Sequence, residues 1–107
     1  MKYSKLFSPI KIGSITIKNR FAMAPMGPLG LADANGGWNQ RGIDYYVERA
    51  KGGTGLIITG VTFFDQVVEK QDPTTVPNPL YKPVNFVKTS REKWQSEFMH
   101  MEVKSFY

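Results

Sequence analysis

The chain has 107 residues, a formal charge of +5, 41% hydrophobic residues and no cysteine. That length holds one small domain at most, and without thiols neither disulfides nor cysteine-ligated zinc or iron–sulfur sites can form within it. No run approaches the ~18 apolar residues of a membrane span, no signal-peptide pattern opens the chain, and the basic residues are scattered singly, so the expectation is a cytoplasmic protein that binds neither membrane nor nucleic acid.

In chain order, Ile10-Lys11-Ile12 and Ile15-Thr16-Ile17-Lys18 alternate around Gly13-Ser14, which predicts a β-hairpin. Asn19-Arg20 leads into Phe21-Ala22-Met23-Ala24, a continuous apolar run expected to form a strand buried on both faces. That strand hands over to Pro25-Met26-Gly27-Pro28. Strands that end in water usually pass to Ser, Asn, Asp or Gly, whereas this corner is apolar, stiff and nearly without side-chain donors.

The period then changes. Ile43, Tyr46, Val47 and Ala50 fall on one face of a helix over residues 39–51, with Asn39 as N-cap and Gly52-Gly53 as a left-handed stop. Glu48, Arg49 and Lys51 fall on the outer side, and Tyr45 and Tyr46 read as helix packing rather than chemistry. Gly55-Leu56-Ile57-Ile58-Thr59-Gly60-Val61 predicts a second buried strand. Asp72-Pro73, Pro77, Pro79 and Pro83 predict an extended loop over 65–83, and a helical pattern resumes at Val84 and runs through Phe86, Val87, Arg91 and Glu92.

Strand, loop, amphipathic helix, Gly-Gly and strand make one βαβ unit, so the class is α/β with a parallel sheet. Two parallel strands cannot cover both their faces, and a closed (β/α)8 barrel takes ~250 residues, so the chain reads as the opening of something larger.

The ordered motifs LFSPIKIGSITIKNRFAMAPMG, Trp38-Asn39-Gln40, Tyr45-Tyr46, Ala50-Lys51-Gly52-Gly53 and GLIITGVT resemble the old yellow enzyme family, above all its clostridial 2-enoate reductases and related NADH:flavin oxidoreductases. The resemblance covers residues 3 to 92. It implies the N-terminal portion of a TIM barrel: a bottom hairpin, the first strand, helix and second strand, and the start of the next helix, incomplete. It also implies FMN at the C-terminal mouth of the strands, with hydride passing from NAD(P)H through FMN to the β-carbon of an α,β-unsaturated substrate. Carried over by position, Pro25, Met26 and Gly27 would meet the flavin ring, and Gly60 and Val61 would line it largely through backbone. Relatives often place Thr or Cys where this chain has Gly27, so a side-chain hydrogen bond to the flavin is missing here. The resemblance to the clostridial 2-enoate reductases also implies a 4Fe-4S cluster and FAD in full-length relatives, in parts that this stretch does not include.

The resemblance divides the chain into residues 1–92, the N-terminal part of an FMN-binding barrel domain, and residues 93–107, a tail outside the family pattern. Relatives continue from Arg91-Glu92 with a sequence like REMxERxHAYG, whereas this chain reads REKWQSEFMHMEVKSFY. A shift of two nucleotides reconciles the two. Because Trp and Met codons end in G, Trp94-Gln95 and Met99-His100 must each then yield Ala, and Met101-Glu102 must yield Gly. With permitted codons the whole tail becomes MAERIHAYGSKKFL. The reading is a frameshift near Lys93, from mutation or sequencing error, which leaves His100 without a role; the alternative is a divergent C-terminus. As written, the chain is expected to be inactive. The rival readings are a non-catalytic βαβ interaction module, separable by size exclusion and cooperative unfolding, and a basic nucleic-acid-binding domain, whose binding would depend strongly on salt. Resequencing the DNA beyond codon 92 checks the frameshift: an HAYG-type continuation in another frame is expected, and its absence from all frames sinks the idea.

Overall fold

The computed structural model describes residues 2–27, 29–63, 75–79 and 82–90, and the backbone of 104–106. Strands β1 (Ile10–Ile12) and β2 (Ile15–Ile17) pair antiparallel, with Ile12 opposite Ile15. The two-residue loop between them starts at Gly13 with φ +61°, the positive-φ position that a II′ hairpin requires.

Strand β3 (Ala22–Met23) pairs parallel with β4 (Leu56–Ile58), and β4 pairs parallel with β5 (Lys104–Phe106), giving the order β3-β4-β5. The crossover between β3 and β4 carries α1 (Gln40–Lys51), which makes the expected βαβ unit. A third parallel strand at 104–106 was not expected from the sequence, whose polar Lys104-Ser105 carries no strand signal of its own. It adds to β4 through backbone pairing, with Ile57 opposite Ser105.

The core lies between the sheet and α1. Ile43, Tyr46, Val47 and Ala50 pack with Ile57, Leu31, Trp38 and Phe86, and Met23 lies against this cluster from β3. Ile57 is fully buried, which stabilises the fold by about 1.5–3 kcal/mol relative to an exposed side chain. Because side chains alternate across a strand, Leu56 and Ile58 face the other way, and Ile58 is exposed. The expectation that residues 21–24 are buried on both faces is therefore corrected. Helix α1 covers one face only, Phe21, Ala22 and Ala24 are exposed, and β3 is two residues long because Pro25 has no N–H to extend the ladder.

The hairpin closes the base. A cavity of about 160 Å³ lies between its Ile10, Ile12 and Ile17 and the entering ends of β3 and β4 at Ala22 and Leu56. Arg20 holds the corner by donating from Nε and Nη2 to the carbonyls of Ser8 and Pro9, each at 3.1 Å. Asn19 ties the base to the far end of α1, donating from Nδ2 to the Gly53 carbonyl at 2.7 Å.

Asn39 caps α1 as expected, its Oδ1 accepting from the Gly42 amide at 2.8 Å. Its Nδ2 also donates to the carbonyls of Gly30 and Ala32, which draws the preceding loop over the helix start. At the other end Gly52 is still right-handed, and Gly53 alone, at φ +104°, makes the stop. Helix α2 (Pro83–Val87) begins one residue before the expected start, because Pro83 sits at its first turn, where a missing N–H costs nothing. Residues 88–90 continue it as a π turn. Most of the proline-rich loop, Arg91-Glu92 and His100 lie outside the described residues.

Two substitutions separate the duties of Asn39. Asn39→Ala removes cap and loop donors together and is expected to destabilise the chain by about 1–3 kcal/mol. Asn39→Asp keeps the cap acceptor and should recover part of that loss. Urea denaturation midpoints check this, and an aspartate variant as stable as wild type would show that the loop bonds contribute nothing.

Candidate functional site

The ladder between β3 and β4 sets Ala22 opposite Leu56 and Met23 opposite Ile57, each pair 34 residues apart. Beyond the last paired residues the chains stay side by side at the same offset. A Cβ on Gly60 would collide with the Met26 carbonyl oxygen, and a Cβ on Gly27 would lie 3.0 Å from Val61 Cγ1. The structure thus brings Met26, Gly27, Gly60 and Val61 together at the C-terminal ends of two parallel strands, with Pro25 leading into the corner. Gly60 is required there for close approach, since any side chain would push the two backbones apart.

None of these five residues is ionisable. Met26 and Val61 are 50% and 52% exposed, so the corner is an apolar shelf open on one side. Such a shelf offers dispersion contacts and backbone N–H and C=O groups, and it has no acid, base or nucleophile of its own. A flat aromatic group with polar edges fits that chemistry. Gly27 adds no side-chain donor. Among the described residues no group of three His, Asp or Glu side chains could hold a metal ion.

Sequence reasoning missed the support beneath the shelf. Tyr46 of α1 is 1% exposed, and its hydroxyl accepts the Gly60 N–H at 2.9 Å. Its ring stands edge-on to Trp38 at 5.5 Å and to Tyr45 at 5.1 Å between centroids. Tyr45 in turn carries the Arg49 guanidinium 3.7 Å above its ring centroid, which engages one of the scattered cations locally. The signal was present: a tyrosine rather than a phenylalanine on the core face of a helix brings a hydroxyl that must find a polar partner.

Burial pushes the Tyr46 phenol above its ordinary value; the Gly60 hydrogen bond pulls the other way, Tyr45 adds to the rise and Arg49 opposes it. The folded chain therefore holds this proton more tightly than the unfolded chain does. The resulting stability is fully present below the ordinary tyrosine value of about 10 and is lost as pH climbs through the raised folded value. Melting temperatures taken across the alkaline range should fall, and Tyr46→Phe should flatten that part of the fall. An unchanged alkaline slope in the variant would show that another group causes it.

The profile described as the NADH:flavin oxidoreductase / NADH oxidase family matches residues 5–75. The chain is 53% identical over 91 residues to a cinnamate reductase of Clostridium sporogenes, which covers 85% of this chain and 14% of that protein. It is 52% identical over 56 residues to an NADH oxidase of Thermoanaerobacter brockii, covering 52% of this chain and 8% of that one. This sequence therefore spans about a seventh or less of these relatives. Among solved structures, a 2-naphthoyl-CoA reductase superposes with a TM-score of 0.76 at 26% identity, over 96% of this chain and 15% of that one. An old yellow enzyme from Pichia sp. superposes at 0.73 and 26% identity, over 94% of this chain and 25% of its own. The hairpin, the βαβ unit and the start of α2 are the opening of that barrel, and the chain belongs to the NADH:flavin oxidoreductase / NADH oxidase family, the old yellow enzyme family.

Proposed function

We propose that residues 1–92 form part of the FMN site of a cytoplasmic NAD(P)H-dependent ene-reductase, and that Pro25, Met26, Gly27, Gly60 and Val61 are its cofactor-binding residues here. The observation that carries this reading is the apposition of Met26-Gly27 and Gly60-Val61 at the C-terminal mouth of parallel strands, the end where barrels of this kind do their chemistry. The names of the relatives support the substrate class, since cinnamate and 2-naphthoyl-CoA both hold unsaturation conjugated to a carbonyl.

When bound, FMN supplies hydride transfer between NAD(P)H and the β-carbon of such an alkene. The contribution of this chain is positional. Met26 and Val61 provide apolar contact on the shelf, Gly60 keeps the two strand ends in register, and the backbone at 25–27 and 60–61 offers polar groups to the edges of a flat ring. Gly27 leaves tuning by a side-chain hydrogen bond out of this position. Acid–base steps fall to groups other than these five. The isolated 107-residue chain neither retains FMN nor oxidises NADH on this reading.

Grafting residues 1–92 in place of the matching segment of the Clostridium sporogenes cinnamate reductase tests the proposal. The chimera is expected to purify with bound FMN and to reduce cinnamate. Gly60→Val in the chimera should lower FMN affinity at least about tenfold, the equivalent of about 1.4 kcal/mol. A folded chimera without flavin, or a Gly60→Val variant with unchanged affinity, would remove these residues from the site. Tight stoichiometric flavin on the isolated chain would overturn its expected inactivity.

A further inference from the structure

We infer that Tyr46 is a positioning residue of the shelf: through its hydroxyl it fixes the direction of the Thr59–Gly60 peptide where β4 ends. The consequence for a cofactor rests on the flavin reading above; the geometry does not.

Gly60 is held from two sides. The Met26 carbonyl blocks it on the side of the first strand, and the Tyr46 hydroxyl takes its N–H on the side of α1. The peptide is trans, as are all the described peptide bonds, so the Thr59 carbonyl points opposite to the Gly60 N–H. With the N–H turned toward α1, that carbonyl is turned toward the opposite face of the sheet, the face α1 leaves uncovered. Glycine is the residue whose flanking peptides rotate most freely, so an unanchored Gly60 would sample other orientations. The hydroxyl removes that freedom, and it can do so because its ring is clamped edge-on between Trp38 and Tyr45 and is buried to 1% exposure. Tyr46 reaches the shelf through the backbone, by its hydrogen bond to the Gly60 amide.

Labelling the glycines of the full chain with nitrogen-15 tests this by hydrogen exchange, because four amides report together. Gly42 donates to Asn39, Gly52 to Glu48, Gly55 to Phe21 and Gly60 to Tyr46. In the unmutated chain the Gly60 amide should exchange well below the unstructured rate; exchange at that rate overturns the inference. Tyr46→Phe keeps the ring and removes the acceptor, and should speed exchange at Gly60 by about tenfold while Gly42, Gly52 and Gly55 hold. Equal acceleration at all four marks a merely structural tyrosine and also overturns it.

A second arm uses the cinnamate reductase chimera with FMN as the probe. Tyr46→Phe should weaken FMN by about tenfold and shift the visible band of the bound flavin. If Gly60 exchange rises while affinity and spectrum stay fixed, the positioning role falls. If the unmutated chimera binds no FMN, the flavin reading fails, and the exchange arm alone decides whether Tyr46 sets the peptide.

Discussion

The contact between the Met26 carbonyl and Gly60 is the constraint on which the upper end of this sheet depends. Regular pairing of β3 and β4 covers only Ala22–Leu56 and Met23–Ile57, and Pro25 then removes the donor that would continue the ladder. Past that point no backbone ladder holds the two chains together, yet they stay at the same 34-residue offset that the ladder and the Asn19–Gly53 bond share. Close approach takes over from hydrogen bonding: a glycine at 60 lets the chains touch, and a hydroxyl from the helix beneath satisfies the amide that the missing ladder leaves over. The helix must therefore sit at one height and rotation. Asn39 fixes the first by capping it to the loop, and the buried face from Ile43 to Ala50 fixes the second.

Side-chain hydrogen bonds tie the loop between β3 and α1 to the segment around α2. Asp33 closes the loop between β3 and α1 by accepting from the Asn35 and Gly37 amides on Oδ1 and from Asn85 Nδ2 on Oδ2. The Trp38 amide donates to Thr89 Oγ1, and Lys82 reaches Asn35 Oδ1. These bonds join the loop to α2 and meet its backbone demands locally. The corner at Pro25-Met26-Gly27 is built from residues that contribute shape and apolar surface.

What the sequence made legible follows from how local each cause is. The hairpin, the Asn39 cap and the buried face of α1 are written in neighbouring residues, and the βαβ order in the alternation of periods. The exposure of Phe21 and Ala22 was not legible, since an apolar run reads the same whether one face is covered or two. The first turn of α2 was hidden because Pro83 ends a proline-rich loop and starts a helix with the same ring. Strand β5 pairs through its backbone, which side-chain pattern does not encode. The candidate residues were placed by resemblance; their mutual contact needed the register, and the hydroxyl of Tyr46 needed the height of the helix.

A shelf with no ionisable group can orient a molecule and exclude water from one side of it, and it cannot move a proton. On the flavin reading, its electronic influence on a bound ring would come from peptide dipoles and the polarisable Met26 sulfur, because Gly27 and Gly60 carry no side chain and Pro25 no amide hydrogen. A peptide dipole acts usefully only if its direction is fixed before the ligand arrives, since a freely rotating one must be ordered at a cost in affinity. At Gly60 that ordering has to come from outside the strand, because glycine itself resists it. The ring of Tyr46, buried and edge-on to two aromatic neighbours, is placed to supply it.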